Sequence, residues 1–489
     1  MLVNDKVYLG QSTRPEYLDL KFANRHGLIT GATGTGKTVS LQIMAEGFSR
    51  AGVPVFAADI KGDLSGIAAM GEAKDFLVKR AQDIGFTDYT QDRFPTIFWD
   101  LFGRQGHPVR TTVSEMGPLL LSRILELNDT QEGVLNIAFK FADDNKLLLI
   151  DLKDLRALLI EVERNAYAIS ATYGNVATAT IGAVQRALLV LEQQGGGNFF
   201  GERALSLADL MRTAPDGRGV VSILAADELM RAPRVYATFL LWLLSELFEE
   251  LPEVGDPDKP KLVFFFDEAH LLFDDAPKAL VDKVEQVVKL IRSKGVGVYF
   301  VTQNPADIPD IVLSQLSNRV QHALRAYTPR EQKAVRVAAE TFRPNPDFST
   351  EEAIVGLAVG QALVSVLEEK GIPSMVGKTM MRPPSSRLGP LTPEERQALM
   401  ATSPVAGLYD KLEDRESAFE VLEARARKMA EAEPRSTPDF EEGPKSPGRR
   451  STRATPLEAA MTSMARSAAN TLGREIMRGI LGSLKRGFR

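Results

Sequence analysis

The sequence predicts an α/β fold with a mainly parallel sheet, and three observations support this prediction. A short apolar run at residues 26–30 leads into a glycine-rich loop, after which residues 39–48 have the apolar spacing of a helix. A second apolar run at residues 53–59 completes a strand–helix–strand unit, which requires parallel strands. Further apolar runs without strict alternation, typical of strands buried on both faces, occur at residues 261–267, 296–302 and 320–324.

The stretch between these groups of strands has a different pattern. Residues 106–255 are mostly helical in spacing, with one strand signal at 220–224, and we interpret them as a large helical insertion. Its most apolar part, residues 239–248, is much shorter than the roughly 18 residues of a membrane span, so we expect a buried helix and no transmembrane segment. A hairpin is expected at residues 362–367 and 373–379.

These patterns divide the chain into five expected segments. Residues 1–105 and 256–383 are the two parts of the sheet-containing core, separated by the insertion at 106–255. Residues 384–455 are expected to be an extended and linker segment because prolines, serines and charges dominate them. Apolar residues at spacings of three or four predict a basic amphipathic helix at residues 456–489.

Composition excludes several classes of protein. With 44% hydrophobic and 25% charged residues among 489, the chain is typical of a soluble globular protein. It contains no cysteine, which excludes disulfides, zinc–cysteine sites, iron–sulfur clusters and thiol nucleophiles. The four histidines are too scattered for a transition-metal motif, and the first residues lack the pattern of a secretory signal. We therefore expect a cytoplasmic protein.

Charge is distributed unevenly along the chain. The last 45 residues carry ten basic and two acidic side chains, a charge of +8. Because the net charge of the whole chain is −5, the rest of the chain carries −13. A basic tail on an acidic body predicts an anionic partner, which could be nucleic acid, a membrane surface or the acidic face of a neighbouring subunit. The amphipathic spacing of the tail also allows peripheral contact with an anionic bilayer.

The glycine-rich loop carries the strongest motif, a complete G-x-x-x-x-G-K-[ST] phosphate loop. Its glycines let successive backbone N–H groups point at phosphate oxygens, and the helix N-terminus that follows favours negative charge. We expect Lys37 to reach the β- and γ-phosphates of ATP and the Thr38 hydroxyl to bind Mg²⁺. The predicted nucleotide-binding residues are Gly31, Ala32, Thr33, Gly34, Thr35, Gly36, Lys37, Thr38 and Val39.

Polar side chains end two of the other predicted strands. The run LVFFFDE at residues 262–268 places Asp267 where it could hold Mg²⁺ and Glu268 where it could polarise an attacking water. The alternative is an ordinary strand that ends in a solvated acidic turn. Gln303 ends the run VYFVTQ and could sense the γ-phosphate or orient the water, the alternative being an amide that only satisfies backbone groups.

An arginine is expected to complete the site from a neighbouring subunit. Arg292, Arg319 and Arg325 follow the acidic strand, and any of them could stabilise transition-state charge, although a surface ion pair is the simpler interpretation of each. Residues 267–270 spell DEAH, as in two-domain helicases, but a second ATPase-like domain needs about 150 residues. Only 78 positions separate Gln303 from Met381, so a single core in a ring-forming oligomer is predicted.

Taken together, the motifs resemble those of the HerA/FtsK superfamily of ATPases, and more narrowly its YjgR-like bacterial branch. The similarity rests on the sequences GATGTGKT, AADIKGDLSG, LVFFFDEAH, RSKGVGVYFVTQNPADIP and GQALVSVLEEKGIP. It implies a RecA-like sheet of the additional-strand type, in which the Gln303 strand lies between the phosphate-loop strand and the Asp267 strand. It also implies a hexameric ring that uses ATP and Mg²⁺ to move double-stranded DNA through a central pore.

The resemblance also assigns roles to single residues. Lys37 and Thr38 match the phosphate-loop lysine and Mg²⁺ ligand, while Asp267 and Glu268 match the Walker B pair. The remaining matches are Gln303 as the sensor amide, Asp59 as an acidic residue near the active site, Arg292 as the arginine acting in trans, and Arg319 as its second choice. Only 30 residues precede Gly31, so the N-terminal β-barrel of archaeal members is not expected.

Three functions are compatible with these features. The first is an oligomeric ATP-driven DNA translocase or helicase. The second is an ATPase that energises a protein or a membrane-associated partner, as secretion ATPases of the superfamily do. The third is a nucleotide-gated scaffold that barely hydrolyses ATP.

Overall fold

The computed structural model describes residues 1–274 and 276–432, and in them thirteen strands form a single mixed sheet. The strands are β1 (Leu2–Val3), β2 (Lys6–Gln11), β3 (Pro15–Asp19), β4 (Gly27–Thr30), β5 (Val55–Asp59), β6 (Thr96–Asp100), β7 (His107–Pro108), β8 (Val221–Ala225), β9 (Leu262–Phe266), β10 (Val296–Thr302), β11 (Asn318–Gln321), β12 (Gln361–Ser365) and β13 (Gly377–Met381).

The strand order is β1-β2-β13-β12-β11-β4-β10-β9-β5-β8-β6-β7, and β3 pairs with β2 outside this path. All pairings from β11 through β7 are parallel, whereas the pairings among β1, β2, β3, β13, β12 and β11 are antiparallel. Strand β10 lies between β4 and β9, which confirms the predicted position of the strand that ends at Gln303. The fold is therefore the expected α/β, RecA-like arrangement of the additional-strand type.

Helices cover both faces of the sheet. The α-helices of the described residues are α1 (Lys37–Arg50), α2 (Asp75–Asp83), α3 (Val113–Ile124), α4 (Asp129–Asp144), α5 (Leu152–Arg164), α6 (Ala166–Tyr173), α7 (Thr178–Gln193), α8 (Gly196–Phe199), α9 (Leu207–Leu210), α10 (Pro233–Glu250), α11 (Lys278–Leu290), α12 (Asp310–Leu313), α13 (Pro329–Glu340), α14 (Thr350–Gly356), α15 (Pro393–Ala401) and α16 (Ala418–Ala432). Short 3₁₀ helices occur at Leu20–Arg25, Asp63–Ala68, Leu229–Arg231, Ala269–Leu272, Ile291–Lys294, Pro305–Asp307 and Glu369–Gly371.

Strand β9 shows why the sheet is buried on both faces. Phe264 and Phe266 pack into a large apolar cluster on one face together with α10, while Val263 and Phe265 pack on the other face with α1. Burying each of these side chains stabilises the fold by about 1.5–3 kcal/mol. An apolar run without alternation is the sequence pattern that such a strand requires.

The predicted strands at residues 26–30, 53–59, 220–224, 261–267 and 296–302 are all present. The strand expected at 220–224 is β8, which lies between β5 and β6, so the mostly helical stretch 106–255 also contributes to the middle of the sheet. Strand β11 begins at Asn318, two residues before the predicted run, because its register is set by pairing with β4. Strands β1, β2, β3, β6 and β7 were not expected.

The segment at residues 384–455, which was predicted to be extended, is partly helical. Its described part contains α15 and α16. Helix α15 begins with a capping box in which Thr392 and Glu395 bind each other's backbone N–H groups, and Pro393 occupies its first turn. The prolines therefore start a helix instead of maintaining an extended chain. The amphipathic helix predicted at residues 456–489 lies outside the described residues.

No single helix of the described residues is long and apolar enough to cross a membrane. The bent pair Ala166–Tyr173 and Thr178–Gln193, taken together, has the length and apolar composition of a membrane span.

Candidate functional site

The phosphate loop connects β4 to α1 at the carboxyl edge of the parallel strands. Gly31, Gly34 and Gly36 have φ values of +150°, +79° and +117°, a region that side chains with a Cβ rarely adopt. A Cβ on Gly31 would lie 2.5 Å from the Cβ of His322, so the loop also passes too close to β11 for a larger residue. The first-turn N–H groups of α1 have no acceptor within the helix and face the space where phosphates bind in such loops.

Lys37 lies folded back along the loop. Its Nζ donates hydrogen bonds to the carbonyl oxygens of Gly31 at 2.6 Å and Ala32 at 3.2 Å. Burial lowers the pKa of Lys37, although the nearby Glu268 carboxylate acts in the opposite direction. A phosphate would offer this ammonium a full negative charge in place of two carbonyl dipoles, so the side chain is positioned to bind one.

Two buried carboxyl groups end adjacent strands beside the loop. Asp267 follows β9 and its Oδ1 accepts a hydrogen bond from the Glu268 N–H at 2.9 Å. Asp59 ends β5 and accepts from the N–H groups of Gly62 at 2.8 Å and Leu64 at 3.1 Å. Burial, reinforced by a neighbouring carboxylate, raises the pKa of Asp59 to about 7 and that of Asp267 to about 6. The strand ends thus concentrate negative charge that is only partly compensated.

This arrangement fits a magnesium ion. Mg²⁺ is usually held by one or two carboxylates together with hydroxyl groups, water and nucleotide phosphates. Asp267 and the Thr38 hydroxyl are groups of these kinds, and burial of the Asp267 carboxyl, which raises its pKa, has a cost that a bound cation would offset. Among the described residues there is no group of three or more His, Cys, Asp or Glu side chains arranged to hold a metal by themselves.

Glu268 is held on both of its carboxylate oxygens. The Lys61 ammonium donates to Oε1, and the Gln303 amide donates to Oε2 at 3.2 Å. Burial alone would raise the pKa of Glu268, but the hydrogen bonds from Lys61 and Gln303 together lower it below its ordinary value. Its backbone is left-handed, with φ +47°, which is costly for a residue with a side chain and is common at active sites. Glu268 is therefore ionised and oriented, as a general base must be.

Gln303 connects Glu268 to the phosphate loop. Its Oε1 accepts a hydrogen bond from the Thr33 hydroxyl at 3.4 Å, while its amide nitrogen donates to Glu268. The side chains of Ala32, Thr33, Gln303 and Arg325 line one cavity of about 350 Å³ beside the loop. A conformational change of the phosphate loop would therefore be transmitted to Glu268 through the Gln303 side-chain amide.

The other two predicted arginines lie at the opposite edge of the sheet. Arg292 precedes β10 and binds Asp256 Oδ1 at 2.7 Å, whereas Gln303 follows the same strand about 23 Å away at the usual rise per residue. Arg319 is the second residue of β11 and donates to the carbonyl oxygens of Leu313 and Leu316, and burial lowers its pKa to about 10. The structure therefore brings neither Arg292 nor Arg319 to this chain's own phosphate loop.

Two residues of the site were missed by sequence reasoning. Lys61 stands two positions after the end of β5, at the carboxyl edge of the sheet where the other site residues lie. This position after a strand is the sequence feature that could have identified it. His322 follows β11 and is fully buried; its Nε2 lies 2.8 Å from the Ser40 hydroxyl and its Nδ1 lies 2.9 Å from the Gln361 carbonyl oxygen. Its contact with helix α1 and the loop could not be read from spacing.

The chain matches a known protein family over nearly its whole length. The family model described as "Helicase HerA-like C-terminal" matches residues 5–489. A probable helicase of Methanocaldococcus jannaschii is 33% identical over 129 residues, which cover 24% of this chain and 23% of that protein. This chain thus spans less than a quarter of the length of that curated relative.

Solved structures of lower similarity include the bacterial conjugative coupling protein TrwB, with a TM-score of 0.49 and 14% identity over 79% of this chain and 92% of that one. VirB4 of Thermoanaerobacter pseudethanolicus has a TM-score of 0.46 and 15% identity, covering 78% of this chain and 97% of that one. TrwB in complex with ADP and Mg²⁺ has a TM-score of 0.44 and 15% identity, covering 75% of this chain and 89% of that one.

Proposed function

This chain belongs to the helicase HerA-like C-terminal family of P-loop ATPases, and we propose that it uses Mg²⁺-dependent ATP hydrolysis to move along or unwind double-stranded DNA. One observation carries the hydrolytic part of the proposal. Four neighbouring parallel strands, β4, β10, β9 and β5, bring a phosphate-loop lysine, a sensor amide and an ionised glutamate to one edge of the sheet. Ligands of α/β proteins bind at this edge.

Each residue then has a defined role. Lys37 exchanges its two carbonyl partners for the β- and γ-phosphates, and the loop N–H groups hold the remaining phosphate oxygens. Asp267 and Thr38 would hold Mg²⁺, which neutralises phosphate charge when bound. Glu268 polarises the attacking water. Gln303, which is hydrogen-bonded to both Thr33 and Glu268, couples the conformation of the phosphate loop to the position of Glu268.

The ring arrangement is supported by where the arginines lie. Arg292 is at the sheet edge opposite its own phosphate loop, so any contact with a nucleotide has to be made in another subunit. A homo-oligomeric ring, with six subunits as the family resemblance implies, supplies that neighbour. Arg292 then acts in trans on the charge of the transferring phosphate.

The DNA substrate rests on the family and on the basic residues of the tail. The second candidate is an ATPase that energises a protein or membrane-associated partner, which the amphipathic spacing of the same tail favours. The two candidates share the hydrolytic site and differ in what stimulates it.

The test is steady-state ATP hydrolysis with and without linear double-stranded DNA. We expect DNA to raise the rate and Glu268→Gln to lower kcat at least about 100-fold in both conditions, with ATP binding retained. Glu351→Gln, which removes an exposed carboxylate on α14, is the matched control and should leave the rate unchanged. Turnover that depends on Glu268 but ignores DNA would favour the second candidate, and turnover independent of Glu268 would refute the catalytic assignment.

The role of Arg292 is tested by mixing subunits. Arg292→Ala and Glu268→Gln should each be inactive alone, because each lacks one half of every shared site. In mixed rings some interfaces combine an intact Glu268 with an intact Arg292 from the neighbour, so activity should return. Absence of complementation, with mixed rings demonstrated by native mass spectrometry, would contradict action in trans.

A further inference from the structure

A second cavity lies on the far side of Glu268 from the phosphate loop. It encloses about 720 Å³ at the carboxyl edge of β5, β8 and β6, and α15 forms its outer wall. Four charged side chains line it: Lys61, Arg104, Asp227 and Arg396. Three are cationic and one is anionic, but Lys61 and Arg104 are each paired with a glutamate, Glu268 and Glu228, so an anionic ligand would bind here by taking the place of these carboxylates.

Lys61 is shared between this cavity and the catalytic glutamate. Its ammonium binds Glu268 Oε1 while its side chain is 42% exposed toward the cavity, whereas the Glu268 side chain is only 6% exposed. The backbone that carries Lys61 is fixed, because Asp59 accepts hydrogen bonds from Gly62 and Leu64 on the same turn. The side chain can therefore change partner without moving the loop.

The present partner of Lys61 opposes catalysis. Each carboxylate oxygen can accept more than one hydrogen bond, but the Lys61 ammonium attracts the charge of Oε1 and makes this oxygen a poorer acceptor for a proton from water. Removing the ammonium would leave Oε1 to the attacking water. A ligand that attracts the ammonium from the cavity side could do so without entering the nucleotide site.

The opposite wall of the cavity is suited to hold such a ligand. Arg104 is 68% exposed, and within the described residues its ion-pair partner is Glu228, at the surface, where an ion pair contributes little and is easily exchanged. Gly103 stands next to it with φ +67°, and its Cβ side is covered by the Pro108 ring, so the exposed guanidinium of Arg104 is the group that a ligand would meet here. Phosphate oxygens are the anions for which spaced lysine and arginine side chains are best suited.

We propose that the cavity binds the phosphodiester backbone of the nucleic acid on which the protein acts, and that the bound phosphates draw Lys61 away from Glu268 to release the general base. The inference rests on the proposed function and adds to it the site that senses the polymer. Lys61 is a positioning residue in this scheme, because it acts on the reaction only through Glu268.

The first test compares ATP hydrolysis by three variants with and without a short linear DNA duplex. Lys61→Ala should raise the DNA-free rate about fivefold, the effect of losing one partly exposed ion pair, and should abolish stimulation by DNA. Lys61→Arg keeps the cation and should retain both the low basal rate and the stimulation. Arg104→Glu should reduce the stimulation, whereas Arg427→Glu, an exposed arginine of α16, is the matched charge control and should leave it intact.

The second test measures binding without turnover. Anisotropy of the labelled duplex with nucleotide-free protein should show that Lys61→Ala lowers the slope of log affinity against log salt concentration by about one, as loss of one phosphate contact predicts. Arg104→Glu should lower the affinity, and Arg427→Glu should not.

The outcomes separate this inference from the proposed function. A wild-type protein that does not hydrolyse ATP would refute the function. An active wild type whose Lys61→Ala variant is slower would show that Lys61 contacts the nucleotide, and would overturn the inference alone. Unchanged stimulation or an unchanged salt slope in Lys61→Ala would also overturn it.

Discussion

Two clusters of buried charged side chains flank helix α1, and they differ in how completely their charges are paired. The phosphate-site cluster, at the start of the helix, consists of Lys37, Asp59, Asp267 and Glu268. The strap cluster lies along the side of the helix and consists of Glu46 and Arg382, together with the N–H and hydroxyl groups of residues 385 and 386. Both clusters are buried in the same domain core, so burial alone does not decide their roles.

The strap cluster is completely satisfied. Arg382 and Glu46 are both 0% exposed and joined at 2.9 Å. The arginine also donates to the carbonyl oxygens of Tyr8, Ile43 and Pro383, and the two glutamate oxygens accept three further hydrogen bonds from the strap, residues 382–396. Such pairing is needed to keep a buried charge, and it ties β13 and the strap to helix α1.

The phosphate-site cluster has an excess of carboxylates. Its two aspartates have a raised pKa, so the folded protein maintains negative charge there at a cost. Magnesium and a nucleotide would remove that cost on binding. An excess of buried carboxylates thus marks the functional cluster, whereas charges that are paired one to one mark the structural cluster.

The largest effect is expected from breaking the strap cluster. Arg382→Met should lower the free energy of unfolding by about 3–5 kcal/mol, because it leaves Glu46 buried without a countercharge. Urea unfolding measures this effect. Arg427→Met, at an exposed ion pair of α16, should change it by less than about 0.5 kcal/mol.

A double variant identifies the cause of this loss. Adding Glu46→Gln to Arg382→Met removes the unpaired charge and should recover part of the lost stability. If the double variant were less stable than the single one by the full cost of a second substitution, buried charge would not be the cause.

The phosphate-site cluster should respond in the opposite direction. Asp267→Asn should raise the free energy of unfolding of the nucleotide-free protein by about 2 kcal/mol at pH 8, because burial and the neighbouring Glu268 oppose ionisation of this carboxyl. The same variant should lose most of the stabilisation that saturating Mg²⁺ and ATP give the wild type, about 3 kcal/mol at a hundred times the Kd. Thermal unfolding with and without Mg²⁺-ATP measures both changes.

Asp63→Asn is the matched control for that experiment, since Asp63 is an exposed carboxylate close to the site. It should leave the stability and the ligand effect nearly unchanged. An Asp267→Asn protein that is less stable without nucleotide would show that Asp267 has a structural role like that of Glu46.

The sequence predicted several strands that are recognisable from their own apolar residues. The apolar runs of β4, β5, β9 and β10 need no partner to be recognised, because each is buried on both faces. Strand β6, with the sequence TIFWD, is as long as β5 and β9 and is also buried, but it was missed. The start of β11 depends on its pairing of Asn318 with Gly27, which is a tertiary contact between distant parts of the chain.

The same distinction applies to the site. The phosphate loop, Asp267, Glu268 and Gln303 each end or follow a recognisable strand, and the structure brings them together. The contact between Lys61 and Glu268 joins residues 207 positions apart, and that between Glu46 and Arg382 joins residues 336 positions apart. Neither leaves a periodic or local signal, because both depend on how the strap and the loops pack around helix α1.

His322 combines features of both clusters, because it lies beside the phosphate loop but has a hydrogen-bond partner on each ring nitrogen, like the fully paired groups of the strap cluster. Its Nδ1–H donates to the Gln361 carbonyl oxygen and its Nε2 accepts from Ser40, which is the neutral form. Burial lowers the pKa of His322 to about 4, below the value of about 6.5 in an unfolded chain. The stability that this histidine contributes is therefore present above pH 6.5 and is lost as the pH falls toward 4.

At pH 5.5 this loss should be about 1 kcal/mol, and His322→Gln should remove that part of the pH dependence of urea unfolding. His26 is the matched control, since burial also lowers its pKa to about 4 while it accepts from the Val298 N–H, at the sheet edge far from the loop. His26→Gln should flatten the pH dependence similarly, but only His322→Gln should weaken ATP binding, because only His322 supports Ser40 and Gly31. Equal ATP affinity in the two variants would place His322 with the structural cluster.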